Sequence, residues 1–167
     1  GINALNVLED DDVKQAAHDV VYSLFRDACQ SCNAAKRLIV TPKIADAVVA
    51  RVVALSEQLV MGDPMRPETT LAPLHTQVLQ QKAHAQVQDA LANGANALCG
   101  GVLPEGQGYF YPATVLDHVN PACRVYSEEV FAPILSVLRA ANEADAIRLA
   151  NDTCFGLGAA VYSQNTE

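Results

Sequence analysis

The feature that most constrains the fold is the alternation of short apolar runs with longer stretches of helical periodicity. Several stretches place apolar residues at three- and four-residue steps, which indicates amphipathic helices. Between them lie short apolar runs with the length and composition of buried strands. Strands are predicted over residues 4–8, 37–40, 97–99, 109–119, 134–138 and 157–162. The predicted order β-α-β-α-α-β-β-β-α-β is typical of a single α/β domain.

The predicted helices carry recognisable start and stop residues. The acidic run at residues 9–12 supplies a cap and first-turn charges for a helix that ends near Cys29. Thr41 followed by Pro42 begins a second helix, which runs to about residue 59. A third spans about residues 74–93 and stops at Gly94. A capping box at residues 142–145 opens a short helix that runs to about residue 150.

Composition excludes several classes of protein. The formal net charge of −8 would repel the phosphates of a nucleic acid, so no nucleic-acid partner is expected. No apolar run approaches the roughly 20 residues of a membrane span. Five cysteines in a chain of 167 residues do not resemble a disulfide framework, which favours reduced thiols and a cytoplasmic location.

The pair Cys29 and Cys32 has the spacing Cys-x-x-Cys and admits several interpretations. A structural zinc site needs a second close pair of ligands, which the sequence lacks, so no metal is expected. A thioredoxin-like dithiol lies at a helix N-terminus, whereas this pair follows a predicted helix. Both residues could be small buried side chains, the state in which free cysteine is commonly found. One of them could be an exposed nucleophile, which spacing alone does not decide.

A series of collinear motifs resembles the aldehyde dehydrogenase superfamily. Residues 25–32 read F-R-D-A-C-Q-S-C and resemble the family segment F-x-N-x-G-Q-x-C. Further segments resemble family motifs in the family's order. Residues 62–64 read G-D-P, residues 70–74 (T-L-A-P-L) resemble T-x-G-P-L, and residues 128–133 (E-E-V-F-A-P) resemble E-E-x-F-G-P. Residues 108–115 and 151–161 resemble two more family segments. Gly1 resembles the second glycine of the family's E-L-G-G motif. The resemblance covers essentially the whole chain.

The resemblance implies NAD(P)-dependent oxidation of an aldehyde to its acid through a cysteine thiohemiacetal and thioester. It assigns Cys32 as the nucleophile and Glu129 and Phe131 as residues that bind the cofactor. Without the motif, Glu129 would be interpreted as a surface carboxylate and Phe131 as a core aromatic. Arg26 occupies the place where succinic semialdehyde dehydrogenases have an arginine that binds the substrate carboxylate. The simpler alternative for Arg26 is a surface ion pair with Asp27 or Asp11.

The chain also departs from the family pattern. Cys29, Ala72 and Ala132 stand where the family has glycine, and a left-handed backbone at any of them would cost about 1 kcal/mol. Cys29 is in addition a candidate redox partner of Cys32. Asp27 replaces an asparagine, and its negative charge is expected to raise the pKa of Cys32.

By the same resemblance, the general-base glutamate lies three residues before Gly1. The cofactor domain and the oligomerisation strands also lie outside residues 1–167. We therefore expect a three-layer α/β catalytic domain, incomplete at both ends, that is inactive alone and comes from a homodimeric or homotetrameric parent. The alternatives are a binding or scaffold module that has kept the fold without the chemistry, and a thiol–disulfide module.

Overall fold

The computed structural model describes residues 1–8 and 12–165. Its strands are β1 (Asn3–Val7), β2 (Ala35–Val40), β3 (Asn96–Cys99), β4 (Thr114–Asp117), β5 (Ile134–Arg139) and β6 (Ala159–Tyr162). Its helices are α1 (Val13–Phe25), α2 (Pro42–Ser56), α3 (Gln77–Ala92), α4 (Arg124–Ser127) and α5 (Glu143–Asn151). No helix within these residues is long and apolar enough to cross a membrane.

The strands form one sheet in the order β3-β4-β5-β2-β1-β6. All neighbouring pairs are parallel except β3 and β4, which are antiparallel. Every residue of β1, β2 and β4 is buried, as expected for parallel strands covered on both faces. Within the described residues, the first and last strands, β1 and β6, are neighbours in the sheet.

Strand β2 contacts different parts of the chain through its two faces. Successive side chains of a strand point to opposite faces, so Lys36 and Arg37 point away from each other. Arg37 donates to the carbonyls of Leu149 and Ala150, both at 2.9 Å, and so caps the last turn of α5. Lys36 contacts the loop that follows α1. Helices α1 and α2 pack against each other, and α2 also contacts β2 to β5. The sheet is therefore the middle layer between groups of helices.

The predicted α/β class and the predicted order of elements are confirmed, with one addition. Helix α4, a single turn between β4 and β5, was not predicted, because its N-cap residue Cys123 makes no side-chain capping bond and gives no signal in the sequence. The other differences concern the ends of elements. Helix α2 ends at Ser56, three residues before the predicted end, and α3 begins at Gln77.

Two of the predicted caps form as expected. Asn142 accepts a hydrogen bond from the Asp145 N–H at 2.9 Å, and Asp145 in turn accepts from the Ala141 N–H at 2.9 Å. The predicted acidic cap of α1 falls partly on residues 9–11, which lie outside the described residues. Asp12 performs the capping, accepting from the N–H of Lys14 at 2.8 Å.

Candidate active site

The residues predicted to form the site lie on loops that enter the sheet side by side. Residues 26–34 lead into β2 and residues 128–133 lead into β5, and these strands are parallel neighbours. Residues 1–2 lead into β1, which is parallel to β2 on its other side. Because the amino ends of parallel strands lie at the same edge of the sheet, the three segments meet there. The candidate site is therefore at the amino edge of β1, β2 and β5.

The loop that carries the two cysteines is formed by an abrupt end to α1. Ala28 and Cys29 have positive φ angles of 49° and 57°, in the left-handed region that favours glycine. Hydrogen bonds from Ala28 N to Phe25 O (3.0 Å) and from Gln30 N to Asp27 O (2.9 Å) close this turn. The strain that sequence reasoning attached to a replaced glycine is therefore present at Cys29. At Ala72 and Ala132 φ is not positive.

The two cysteines of the pair have opposite environments. Cys32 is exposed, whereas Cys29 is fully buried, and both are free thiols in the structure. Burial raises the pKa of the Cys29 thiol, and the nearby Lys36 ammonium only partly opposes this effect. Cys29 is therefore suited to a packing role in its present state, and Cys32 is the accessible sulfur. A redox partnership between them stays a prediction.

Two buried polar residues that were not predicted hold the loop around Cys32. Asn3 donates to the carbonyls of Cys32 (2.7 Å) and Ala34 (3.1 Å) and accepts from the N–H of Gly158 (3.0 Å). Lys36 donates to the Cys29 carbonyl at 3.2 Å and to the Ser31 carbonyl at 3.1 Å. Its ammonium also lies 3.2 Å from the Cys29 sulfur.

The sequence contained one signal for this arrangement. Arg37 is the first residue of the strand predicted over residues 37–40, and Lys36 directly precedes it. A charged side chain that is buried with such a strand needs partners. The partners are mostly backbone carbonyls, which no residue pattern identifies.

Gln30 connects the loop to a second segment of the chain. Its side-chain amide donates to the Pro73 carbonyl at 3.3 Å, and its side-chain oxygen accepts from the His75 N–H at 2.8 Å. Gln30 was recognised only as a motif residue, and the structure shows what it does. It fixes the cysteine loop to the segment before α3 by two hydrogen bonds.

Glu129 and Phe131 lie beside the cysteine loop, because the strands that follow these two segments, β5 and β2, are parallel neighbours. The Glu129 carboxylate is 31% exposed and contacts the backbone nitrogen of Gly1. A Cβ on Gly1 would lie 3.3 Å from the Cys32 carbonyl oxygen, so Gly1 also lies next to the cysteine loop. The Phe131 ring is half-buried, and the Lys36 ammonium lies 4.7 Å from its centroid. A partly exposed carboxylate and an aromatic ring fit the polar and flat parts of a nucleotide cofactor.

Arg26 is exposed and forms a surface ion pair with Asp27, which is the simpler of the two roles predicted for it. Its guanidinium donates to the Asp27 carboxylate at 3.3 Å and lies 5.7 Å from the centroid of the Tyr22 ring. It borders a groove of about 440 Å³ between the ends of α1 and α2, whose walls include Phe25 and Leu59. Its predicted contact with a substrate carboxylate stays a prediction. Within residues 1–8 and 12–165, no group of three potential metal ligands occurs.

The fold and the site define a class, an α/β domain with an exposed cysteine at the amino edge of a mainly parallel sheet. The sequence profile of the aldehyde dehydrogenase family matches residues 1–167, and the chain belongs to this family.

Individual relatives agree with the family assignment. An aldehyde dehydrogenase of Paenarthrobacter nicotinovorans is 36% identical over 99% of this chain and 36% of its own length. A succinate-semialdehyde dehydrogenase [NADP(+)] of Mycolicibacterium paratuberculosis is 39% identical, over 99% of this chain and 35% of its own. The structure resembles 1-pyrroline-5-carboxylate dehydrogenase from Thermus with bound NAD, with a TM-score of 0.93 at 36% identity, over 99% of this chain and 32% of that one. The chain thus spans about a third of the length of these relatives.

Proposed function

We propose that this chain supplies the nucleophile and part of the cofactor site of an NAD(P)-dependent aldehyde dehydrogenase. The proposal depends on the exposure of the Cys32 thiol and on the fixed position of its loop. Cys32 is the exposed thiol of the pair, on a loop fixed by Asn3, Gln30 and Lys36, beside Glu129 and Phe131. A fixed, accessible thiol next to a cofactor site is what covalent capture of an aldehyde requires.

In the proposed reaction, the Cys32 thiolate attacks the aldehyde carbon and forms a thiohemiacetal. The negative charge that develops on the former carbonyl oxygen is stabilised by the backbone N–H of Cys32. Loss of hydride from the thiohemiacetal leaves a thioester on Cys32, and water then releases the carboxylic acid. Capture on the sulfur divides one difficult oxidation into two easier steps.

The cofactor would bind through Glu129 and Phe131. The Glu129 carboxylate would accept hydrogen bonds from ribose hydroxyls, and the Phe131 ring would pack near the nicotinamide. When bound, NAD or NADP supplies the hydride acceptor. A relative named for NADP(+) and a neighbouring structure with bound NAD support a nicotinamide cofactor without choosing between the two forms.

Succinic semialdehyde is the substrate that we propose. Arg26 has the planar fork that suits a carboxylate, and its present partner is the exposed carboxylate of Asp27. Exposed ion pairs contribute only about 0–1 kcal/mol, so Arg26 can exchange Asp27 for a substrate at little cost. A 39% identical relative is named succinate-semialdehyde dehydrogenase, which supports this choice.

The test uses the protein at the full length that its gene encodes. Replacing Cys32 by serine should lower the rate of NAD(P)H formation by about 10³-fold or more, because a hydroxyl is a far weaker nucleophile than a thiolate. Cys154→Ser is the matched control, since Cys154 is also an exposed free thiol, and it should retain the activity. Near-normal turnover by Cys32→Ser would refute the proposal. A higher KM of Arg26→Gln for succinic semialdehyde, with an unchanged KM for butanal, would support the substrate assignment.

A further inference from the structure

We propose that Lys36 is a positioning residue that fixes the peptide unit between Ser31 and Cys32 and thereby the direction of the Cys32 N–H. This inference rests on the proposed function, in which that N–H binds the oxyanion. Lys36 does not itself contact the reacting atoms. It acts from behind the cysteine loop, through hydrogen bonds to the backbone.

Lys36 is a charged side chain in the interior, only 2% exposed. Burying an ammonium is costly unless its donors are satisfied. Lysine has three N–H donors, and Lys36 has three acceptors, namely the Cys29 carbonyl, the Cys29 sulfur and the Ser31 carbonyl. All three belong to the cysteine loop. A conformation of that loop that moved these acceptors away would leave the ammonium with the Phe131 ring as its remaining contact, so Lys36 stabilises the present conformation.

The contact with Ser31 determines where the Cys32 N–H points. In a trans peptide the C=O and the N–H project to opposite sides. The Ser31 oxygen accepts from Lys36 at 3.1 Å, so the N–H of the same peptide unit points away from Lys36. Within residues 1–8 and 12–165 this N–H has no hydrogen-bond acceptor, which leaves it free for a ligand.

The peptide unit on the other side of the nucleophile is fixed as well. Asn3 donates to the Cys32 carbonyl at 2.7 Å and to the Ala34 carbonyl at 3.1 Å, and Asn3 is itself buried. Cys32 therefore lies between two restrained peptide planes, one fixed by Lys36 and one by Asn3. The exposed thiol is carried by a backbone that buried groups hold in place.

Such restraint matters because an oxyanion donor acts only when it is correctly aimed. Hydrogen bonds weaken steeply as the donor angle departs from linearity. Loss of a single oxyanion donor lowers the rate by about 10²–10³-fold. A misdirected N–H should therefore lower the rate by part of that amount. Removal of Lys36 should therefore slow reactions that pass through an oxyanion and leave other reactions of the same thiol nearly unchanged.

Two reactions of Cys32 separate these effects in the full-length protein. Acylation by 4-nitrophenyl acetate passes through a tetrahedral oxyanion, whereas alkylation by iodoacetamide does not. Both rate constants are measured at Cys32, identified by peptide mass spectrometry, in the wild type, Lys36→Met and Lys36→Arg. Lys82→Met is the control, because Lys82 is exposed on α3. Lys36→Gln, which keeps a shorter polar side chain, replaces Lys36→Met if that variant does not fold.

We expect Lys36→Met to lower acylation about 10-fold or more, with alkylation within about three-fold of the wild type. Lys36→Arg, which keeps a cationic donor, should restore most of the acylation rate, and Lys82→Met should match the wild type. An unchanged ratio of the two rates in Lys36→Met, or a parallel fall of both, would overturn the assignment of Lys36. If Cys32→Ser keeps its turnover, the proposed function itself is wrong. If Cys32→Ser loses its turnover but the ratio of acylation to alkylation is unchanged in Lys36→Met, only the role of Lys36 is wrong and Cys32 remains the proposed nucleophile.

Discussion

At the scale of single residues, Cys29 combines two features that oppose each other. Its backbone lies in the left-handed region, at φ 57°, which disfavours any side chain with a Cβ. Its side chain is fully buried and packs in the core. The residue therefore stores local strain directly before the Gln30–Cys32 segment, and packing of its sulfur compensates for part of that strain.

Comparing Cys29→Gly with Cys29→Ala separates the strain from the packing. Both variants lose the sulfur, but only glycine removes the Cβ, so Cys29→Gly should be more stable than Cys29→Ala by about 1 kcal/mol. Chemical denaturation of the two variants measures this difference. At a helical position such as Ala54 in α2, the order should be reversed, with Ala54→Gly less stable than the wild type by about 1 kcal/mol. A Cys29→Ala variant more stable than Cys29→Gly would contradict the left-handed conformation.

Asp117 and Arg139 form an ion pair at the carboxyl ends of β4 and β5, and the Asp117 side chain is only 5% exposed. The Arg139 guanidinium donates to both oxygens of Asp117, at 3.0 and 2.9 Å, and the His118 N–H donates at 2.7 Å. Burial by itself raises the pKa of the Asp117 carboxyl, but these donors outweigh burial and hold the pKa below its ordinary value. The ionised carboxylate thus links two neighbouring strands.

This depressed pKa makes stability depend on pH in a defined direction. Because the pKa of Asp117 is lower in the folded state than the roughly 3.9 of an unfolded aspartate, its contribution is complete above about pH 4. The contribution disappears as the pH falls through the folded-state pKa. We expect Asp117→Asn to reduce the free energy of unfolding by roughly 2 kcal/mol at pH 7. The difference in the free energy of unfolding between Asp117→Asn and the wild type should become smaller below pH 4.

Urea denaturation at a series of pH values measures the effect of Asp117→Asn. Asp46→Asn is the control, since Asp46 pairs with the same arginine but its side chain is 91% exposed. It should change stability by less than about 1 kcal/mol at any pH. If the difference in the free energy of unfolding between Asp117→Asn and the wild type stays constant or increases in acid, the pKa of Asp117 is not lowered in the folded state.

At the scale of elements, two helices begin at a threonine but use it differently. Thr76 caps α3, with its hydroxyl accepting from the Leu79 N–H at 3.2 Å. Thr41 begins α2 with Pro42 after it, as predicted, but its hydroxyl makes no capping bond. That oxygen is buried and has no hydrogen-bond partner among residues 1–8 and 12–165. An unpaired buried hydroxyl destabilises the folded state.

Replacing each threonine by valine should therefore have opposite effects. Thr76→Val loses a capping bond and should lower the free energy of unfolding by about 1 kcal/mol. Thr41→Val removes an unpaired polar group while preserving shape, and should raise it by about 1 kcal/mol. Thermal denaturation of the two variants tests the pair. A loss of stability in Thr41→Val equal to that in Thr76→Val would show that the Thr41 hydroxyl has a partner.

Elements with a clear hydrophobic period were predictable from the sequence, and the restraints of the site were not. Strand β5 and helix α5 follow from an apolar run and a capping box. The end of α1 was harder to predict, because Ala28 continues the apolar helical pattern and yet adopts a left-handed backbone. Cys32 is predicted as the nucleophile from its motif, and that role stays a prediction. Asn3 and Lys36 act on backbone carbonyls brought together by the sheet, and such contacts leave no pattern of residue types along the chain.

At the scale of the whole molecule, we propose that residues 1–167 supply only part of the chemistry of an aldehyde dehydrogenase. The chain spans 36% of the length of the aldehyde dehydrogenase of Paenarthrobacter nicotinovorans. In this proposal, the general base and most of the cofactor contacts lie outside residues 1–167. The described site contains the candidate nucleophile Cys32, its loop and two candidate cofactor residues, and we propose that these allow thiol chemistry but do not complete an oxidation.

A polypeptide of residues 1–167 alone should therefore form no NAD(P)H from an aldehyde above the background rate. The full-length gene product, assayed at the same concentration, provides the positive control. Absorbance at 340 nm records the reaction, and circular dichroism verifies that the polypeptide is folded. Turnover by the folded polypeptide would show that residues 1–167 contain a base and a cofactor site that we have not recognised.

The position of β1 between β2 and β6 has a consequence for how the protein is made. The Asn6 side chain in β1 donates to the Ala160 carbonyl in β6 across a separation of 154 residues. At 5–20 residues per second, a ribosome needs roughly 8–30 s to synthesise that interval. Until then one side of β1 is an open edge that can pair with another chain. Conditions that slow translation ahead of β6 should therefore favour aggregation of the nascent chain and increase its dependence on chaperones.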